Sequence, residues 1–316
     1  VSFDLAIVIV SWNVRELLKE CLKSVYESLD GSNLFGEVWV VDNASSDGSA
    51  EMVRERFPQA HLIANEENIG FAAANNQALR EMGFTTRHSP PPPRYVLFLN
   101  PDTLVVGDAL ATMVRFLDEN PSVGLVGAKL IYPDGRLQHS AFSFPGLMQT
   151  FFDFFPIHHR LINSRFNGRY PRKLYERGEP FPVDHPLGAA MMAREEAIEQ
   201  VGLFDERFRI YCEEIDWCMR MKEAGWEIYC VPRAEIVHYV AKSTGQVCDE
   251  MFVELWRSRY RLFEKHYGKF HRFAVRCIVR LGVGAEMRRK KAAFQRGEMS
   301  KGELEKWLAA YRKVIS

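Results

Sequence analysis

Five short apolar runs, each closed by turn residues, constrain this chain more than any other feature. They are "LAIVIV" (5–10), "EVWVVD" (37–42), "AHLIAN" (60–65), "YVLFLN" (95–100) and "VGLVGAKL" (123–130). Among them lie 14–29, 49–57, 71–82 and 109–120, whose apolar residues recur at three and four, the spacing of a helix with one buried face. Short apolar strands alternating with helices predict an α/β fold, a mostly parallel sheet covered on both faces. Ligands of such sheets sit beyond the carboxyl ends of the strands. There the first four strands carry "SWN" (11–13), "DNASSDGS" (42–49), "NEENIGFAAANN" (65–76) and "NPDT" (100–103). Turns alone use Asn, Asp, Ser and Gly, which accounts easily for one such cluster and poorly for four.

At 316 residues and 47% hydrophobic, the chain has enough apolar material for one large α/β domain with an appendage, or for two modest domains. Formal net charge is zero, yet residues 257–296 hold 13 Lys and Arg against Glu264 and Glu286, a local +11 that the rest of the chain balances. Six cysteines show neither CxxC nor the Cys/His spacing of a zinc site, so free thiols in a reducing compartment are expected. Apolar runs stay well below the roughly 18 residues of a membrane span. A cytoplasmic protein, soluble or peripheral on the inner membrane face, is the expectation. "HSPPPPR" (88–94) reads as a stiff spacer. Residues 140–182, rich in Phe, Pro and Arg, read as an insertion over the site or an acceptor-side flap. From about residue 249 the pattern is helical, with a break expected near Gly282-Val283-Gly284.

Several residue constellations suit chemistry. Asp102 follows a buried strand whose ladder Pro101 cannot continue. It is either an acid in a turn or a carboxylate placed to hold a hard divalent cation against a diphosphate. Asp42 ends the second strand, where an acid accepts from a nucleobase N–H or a ribose hydroxyl; alternatively its cluster is only turn and cap, with Asp47 capping the next helix. Gly70 and the alanines after it allow backbone to approach a ligand closely. GxGxxG and GxxxxGK[ST] are both absent, which argues against a nicotinamide site or a P-loop. Glu213, Glu214 and Asp216 crowd a helix start. They serve either the helix dipole or general-base catalysis, since mutual repulsion and burial raise a carboxyl pKa. His238, in an apolar strand-like run, is either a core histidine or a second metal ligand.

Taken together and in order, "VIVSWN", "VVDNASSDGS", "NIGFAAANNQA", "FLNPDT", "DGRLQHS", "GAAMMAREEAIEQVGLFDE", "EEIDWCMRMKEAGW" and "VPRAEIVHYVAKST" resemble glycosyltransferase family 2, the inverting GT-A enzymes, in its bacterial rhamnosyltransferase-like branch. The resemblance spans roughly residues 4–245. It implies a GT-A transferase domain over 1–245, followed by a basic helical region over 246–316. It also implies a nucleotide-diphosphate sugar donor, dTDP-rhamnose or a UDP-linked hexose, and a glycan or lipid-linked acceptor in cell-surface polysaccharide synthesis. Ser11 and Asn13 would lie by base and ribose, Asp42 on the pyrimidine ring, and Asn68, Gly70 and Asn75 along the ribose and sugar. Asp102 matches the metal-binding acid of the family's DxD motif, with Asn100 replacing the first acid, and His238 matches its late metal-binding histidine, for Mg2+ or Mn2+. Lys242, Ser243 and Thr244 would reach the diphosphate. The base corresponds to Glu214, with Glu213 as its alternative and Asp216 close by.

Competing readings follow from Asn100 and from the basic stretch. A non-catalytic nucleotide-sugar-binding or scaffold protein would explain the lost acid of the motif. A nucleotidyltransferase is disfavoured because "VIVSWNVREL" (8–17) has neither glycine nor lysine. The stretch 257–296 interleaves aromatic residues with Arg and Lys. It reads first as attachment to an anionic membrane surface, then as a homo-oligomer contact or a solvated helical face; no base-reading motif supports nucleic acid.

Overall fold

The computed structural model describes residues 4–84, 92–155, 161, 164–239 and 248–315. In chain order the strands are β1 (Leu5–Ser11), β2 (Gly36–Asp42), β3 (His61–Ala64), β4 (Tyr95–Leu99), β5 (Thr103–Val105), β6 (Val123–Ile131), β7 (Leu137–Gln138), β8 (Ala141–Phe142), β9 (Phe181–Pro182), β10 (His185–Pro186), β11 (Ala190–Arg194) and β12 (Glu227–His238). The helices are α1 (Arg15–Asp30), α2 (Ser49–Arg56), α3 (Phe71–Glu81), α4 (Ala109–Glu119), α5 (Leu147–Phe154), α6 (Arg172–Glu176), α7 (Glu195–Val201), α8 (Glu213–Glu223), α9 (Cys248–His266), α10 (Lys269–Gln295) and α11 (Lys301–Ile315). The chain forms two compact units. One contains Val1–Phe142, Tyr170–Arg209 and Glu213–Ser243, the other Ser143–Arg169, Ile210–Cys212 and Thr244–Ser316. The region read as an insertion is thus divided between them, its middle lying in the second unit.

The first unit is built on a sheet of order β3-β2-β1-β4-β11-β6-β12-β5. β3, β2, β1 and β4 run parallel, and every residue of β1 and β4 is buried, as expected of strands with helices on both faces. Beyond β4 the directions are mixed: β11 is antiparallel to both β4 and β6, β12 is parallel to β6, and β5 is antiparallel to β12. "AMMAR" is short and apolar, so its pattern reveals burial but not direction. Connections leave β1 toward β2 on one side and return to β4 on the other. The switch point therefore lies at the carboxyl ends of β1 and β4.

Aromatic packing fixes α8 under this sheet. The indole of Trp217 meets Phe98 edge-on at 5.4 Å and Phe204 at 4.4 Å, and its Nε1–H donates to Gly202 O at 2.8 Å. Arg94, at the end of the proline run, pairs with Asp4 and Asp118 and so anchors the start of β4; the run's first residues, 88–91, lie outside the described residues. All five cysteines with described side chains are free thiols.

The second unit is helical. Phe154, Val253, Trp256, Phe263, Val275, Val279, Val283, Tyr311 and Val314 form its core. The break expected at Gly282–Gly284 does not occur: α10 continues through it for 27 residues. Gly282 serves packing instead, because a Cβ there would collide with the ring of Phe154. Helix propensity disfavours glycine by about 1 kcal/mol, less than burial of an aromatic side chain returns. Among the described residues, no helix is long and apolar enough to cross a membrane.

Candidate active site

All the structured candidate residues of the sheet's carboxyl edge belong to the first unit. Ser11 and Asp42 are register partners at the ends of β1 and β2. The Asp42 Oδ2 accepts from Ser45 N–H at 2.9 Å and so makes the turn, as one reading of its cluster required. Its Oδ1 and the Ser11 Oγ have no hydrogen-bond partner, although the two residues are 2% and 0% exposed. Leaving two adjacent polar atoms buried and unsatisfied costs about 1–3 kcal/mol each, so such a pair at a ligand edge points to a polar molecule that completes it.

The surrounding loops are tied by local bonds. Asn13, at φ 53°, accepts from Ser46 N–H at 2.8 Å, and its own N–H donates to Ser45 Oγ at 2.9 Å. Asp47 accepts from Arg15 N–H at 2.8 Å and from Ser49 N–H at 3.1 Å, so one carboxylate caps the starts of both α1 and α2. Burial opposes its charge, yet the bonds from Ser49 and Arg15 outweigh this and hold the carboxyl below its ordinary value.

At the start of α3, the Asn68 Oδ1 accepts from Gly70 N–H at 3.0 Å, and Asn75 Nδ2 donates to Phe71 O at 2.9 Å. Gly70 stands at φ 92°, and a Cβ there would lie 2.5 Å from Arg209 O. Arg209 closes this loop from two sides, accepting from Phe71 N–H at 2.7 Å and donating to Asn68 O at 3.0 Å. Nothing in its sequence surroundings marks Arg209; only the fold brings it 139 residues back to Gly70.

Strand register joins Asp102 to His238. β5 pairs with β12 so that Thr103 faces His238, and Tyr239 N–H donates to Asp102 O at 2.9 Å. Both side chains are buried, and His238 Nε2 lies 3.4 Å from Asp102 Oδ1. Gln138, brought by the β6–β7 pairing, places its amide 3.1–3.2 Å from His238 Nδ1. If Gln138 accepts from Nδ1–H, Nε2 is left with a lone pair directed toward the carboxylate; the orientation of this amide sets the tautomer. A carboxylate oxygen beside an imidazole nitrogen whose other nitrogen is hydrogen-bonded suits a divalent cation that retains further oxygen ligands. Among the described residues, no group of three or more His, Cys, Asp and Glu could hold a metal ion, so Asp102 and His238 would supply only part of a coordination sphere.

The Asn100–Thr103 turn is braced from below. Thr103 Oγ1 donates to Asn100 O at 2.7 Å, and Cys21 Sγ approaches the same carbonyl at 3.6 Å. Burial, with a smaller contribution from the Asp102 charge, pushes the Cys21 thiol up to about 12, so it stays protonated and able to donate. Asn100 N–H donates to Ala189 O at 2.9 Å, and a methyl group built on neighbouring Gly188 would meet the Glu214 side chain at 3.5 Å. The turn bearing Asp102 and the helix bearing Glu213 and Glu214 are therefore linked through two residues of "GAA".

Those acids differ in environment. Glu213 is buried and its Oε2 has no hydrogen-bond partner; burial, then the charge of Glu214, holds its carboxyl well above the usual range. Asp216 is wholly buried but pairs with Arg220 at 2.9 Å, and Arg220 also donates to Val201 O at 2.6 Å and Leu203 O at 2.9 Å. Lys242, Ser243 and Thr244 lie outside the described residues.

A profile of the family described as Glycosyl transferase family 2 matches residues 6–202, the segment that runs from the second residue of β1 through β11. The chain belongs to glycosyltransferase family 2. The N-acetylglucosaminyl-diphospho-decaprenol L-rhamnosyltransferase of Mycobacterium tuberculosis is 29% identical over 216 residues, which cover 66% of this chain and 68% of that protein. Rhamnosyltransferase WbbL of Escherichia coli is 27% identical over 258 residues, covering 81% of this chain and 90% of WbbL. Among solved structures, the mannosyltransferase PcManGT from Pyrobaculum calidifontis, in complex with GDP-Man and Mn2+, aligns with all of this chain and 86% of its own at 17% identity and a TM-score of 0.56. GalNAc-T7 with UDP, GalNAc and Mn2+ aligns with 75% of this chain, which spans 44% of that longer protein, at a TM-score of 0.54. These likenesses establish the GT-A fold of this family 2 glycosyltransferase.

Proposed function

We propose that this glycosyltransferase is an inverting, metal-dependent enzyme that transfers rhamnose from dTDP-rhamnose to a glycan or lipid-linked acceptor hydroxyl in cell-surface polysaccharide synthesis, with a UDP-hexose as the alternative donor. The observation that carries the reading is the set of polar groups gathered along one sheet edge: the buried, unsatisfied Ser11 Oγ and Asp42 Oδ1 at one end, the buried Asp102–His238 pair further on, and buried Glu213 with half-buried Glu214 beside Gly188. A pyrimidine dione ring offers an N–H flanked by carbonyls, complementary to a carboxylate oxygen beside a hydroxyl. The rhamnosyltransferase names of two relatives favour rhamnose among the sugars.

In this reading Asn13, Asn68, Gly70 and Asn75 border the ribose and sugar, and Asn100 stands beside the diphosphate. Asp102 and His238 hold Mg2+ or Mn2+. When bound, the cation neutralises charge on the diphosphate. Glu214 takes the proton from the acceptor hydroxyl, whose oxygen bonds to the anomeric carbon from the face opposite the diphosphate. The anomeric carbon–phosphate oxygen bond breaks, its electron pair leaves with the diphosphate, and the anomeric centre inverts. Burial, then the charge of Glu214, raises the Glu213 carboxyl and favours its neutral form, which limits the negative charge set beside Glu214. Lys242, Ser243 and Thr244 are proposed to reach the diphosphate, and Asp216 to position α8.

A thermal-shift screen of dTDP-rhamnose, UDP-hexoses and GDP-mannose, each with and without Mn2+, tests the donor. The largest stabilisation is expected from dTDP-rhamnose with Mn2+; an equal response to GDP-mannose, or one indifferent to the metal, overturns the donor or metal assignment. Product anomeric configuration by NMR tests inversion. Donor binding without transfer or donor hydrolysis would instead favour a non-catalytic binding protein.

A further inference from the structure

The basic stretch of the second unit resolves into a surface with two chemistries. On α10, Phe270, Phe273, Cys277 and Leu281 follow one another at spacings of three and four and share a face. All four are exposed, Phe270 at 93%, Phe273 at 69% and Leu281 at 68%. The opposite face carries Val275, Val279 and Val283, all buried in the helical core. Packing of the unit therefore accounts for the valines and leaves the phenylalanines in water, where full exposure of each forgoes about 1.5–3 kcal/mol of burial.

Lys269, Arg276 and Arg280 flank the apolar ridge and are likewise exposed. Lys269, Arg272, Phe273 and Arg276 line a shallow concavity of about 280 Å³. From Lys269 to Ala285 the sequence has four Lys and Arg and no Asp or Glu. The one carboxylate paired with this group is that of Glu264, 3.4 Å from Arg276, among the described ion pairs. Other cations of the stretch are spent within the unit: Arg259 pairs with Asp153 and lies over the Trp256 ring, and Arg289 pairs with Glu286.

We propose that this face of α10 docks on an anionic phospholipid surface, with Phe270, Phe273 and Leu281 entering the interface and Lys269, Arg276 and Arg280 meeting lipid phosphates. A convex ridge of rings needs an apolar acceptor that deforms around it, and guanidinium groups beside it need a dense field of anions. An anionic leaflet supplies both. This inference rests on the helical unit alone, so it stands or falls separately from the sugar-transfer reading.

The test is co-sedimentation of the full chain with vesicles of phosphatidylglycerol and, separately, of phosphatidylcholine. One variant carries Lys269→Gln, Arg276→Gln and Arg280→Gln, another Phe270→Ser and Phe273→Ser. Circular dichroism melting confirms that these exposed substitutions keep the fold. Binding is expected with phosphatidylglycerol, weakened roughly fivefold for each cation removed and on the order of 10²-fold for all three, and reduced by salt. The phenylalanine variant is expected to lose binding at every salt concentration. Absence of binding, equal binding to phosphatidylcholine, or binding unchanged in both variants overturns the proposal. So does a dimer in solution that the phenylalanine substitutions dissociate while vesicle binding persists, or a single-stranded DNA complex that the cation variant alone abolishes.

Discussion

The first turn of α8 presents the same chemistry in opposite circumstances at its two ends. Glu213 and Asp216 are both buried carboxyls three residues apart. Asp216 faces a guanidinium that is itself bonded to two carbonyls, and the arrangement pins α8 to the 201–203 loop. Glu213 has no cation beside it among the described ion pairs, and burial, then the charge of Glu214, holds its carboxyl well above the usual range. Burial alone thus does not distinguish a structural acid from a chemical one; the partner does. The same contrast separates Asp47, fully used by two helix starts, from Asp42, which keeps one oxygen unsatisfied.

Substitutions sharpen this contrast in order of expected effect. Glu214→Gln is expected to lower transfer by about 10²–10⁴-fold with donor binding by calorimetry and the urea midpoint unaltered; near-normal turnover removes Glu214 from the role of base. Asp216→Ala leaves half-buried Arg220 without its counter-charge and should cost about 3 kcal/mol in urea unfolding, while the fraction still folded keeps its turnover. Were stability intact and turnover lost, the contrast between the two acids would collapse.

Gln138→Leu tests the site from the metal side. Loss of the bond to His238 Nδ1 should weaken Mn2+ binding by about 10–100-fold, read by calorimetry with dTDP present, and a Gln138→Asn variant that keeps wild-type affinity would argue against geometry as the cause. The smallest effect is expected from Glu213→Gln. Because the folded-state value of Glu213 is raised, the native state binds more protons than the unfolded chain above the ordinary 4.5. Its contribution is therefore fully present below that pH and is lost as pH rises through the folded value. The glutamine variant should match wild type at pH 4, exceed it in stability at pH 8, and show a flatter profile between; a profile superimposable on wild type would place Glu213 in water.

Much of the first unit was legible in the residues. β1, β2, β4 and β6 and the helices between them lie within a residue or two of the apolar patterns, because strands covered on both faces must be continuously apolar and helices with one buried face must repeat at three and four. Polar clusters at the strand ends come together on one edge for a similar reason: parallel strands place their ends together. Direction was not legible for β11, since a buried "AMMAR" looks alike either way round. Gly282 misled for a related cause. Its low helix propensity is a local property, whereas its contact with Phe154 depends on a partner 128 residues earlier.

What the sequence by itself determined is the list of chemical groups and the elements that carry them: Asp42, Asp102, Glu213, Glu214 and His238, each at the end of a recognisable strand or the start of a helix. Tertiary structure alone decided which of these acids are satisfied. Asp216 meets Arg220 one turn away, a pairing any helix allows, yet whether a carboxylate is buried with a cation or with another carboxylate depends on which loops close over it. Gly70 beside Arg209, His238 beside Gln138 and Glu214 beside Gly188 are residues distant in the chain, brought together by loop closure and strand register. Chain-local periodicity carries no record of them, because it reports how each residue faces its own element and not what the next element brings to meet it.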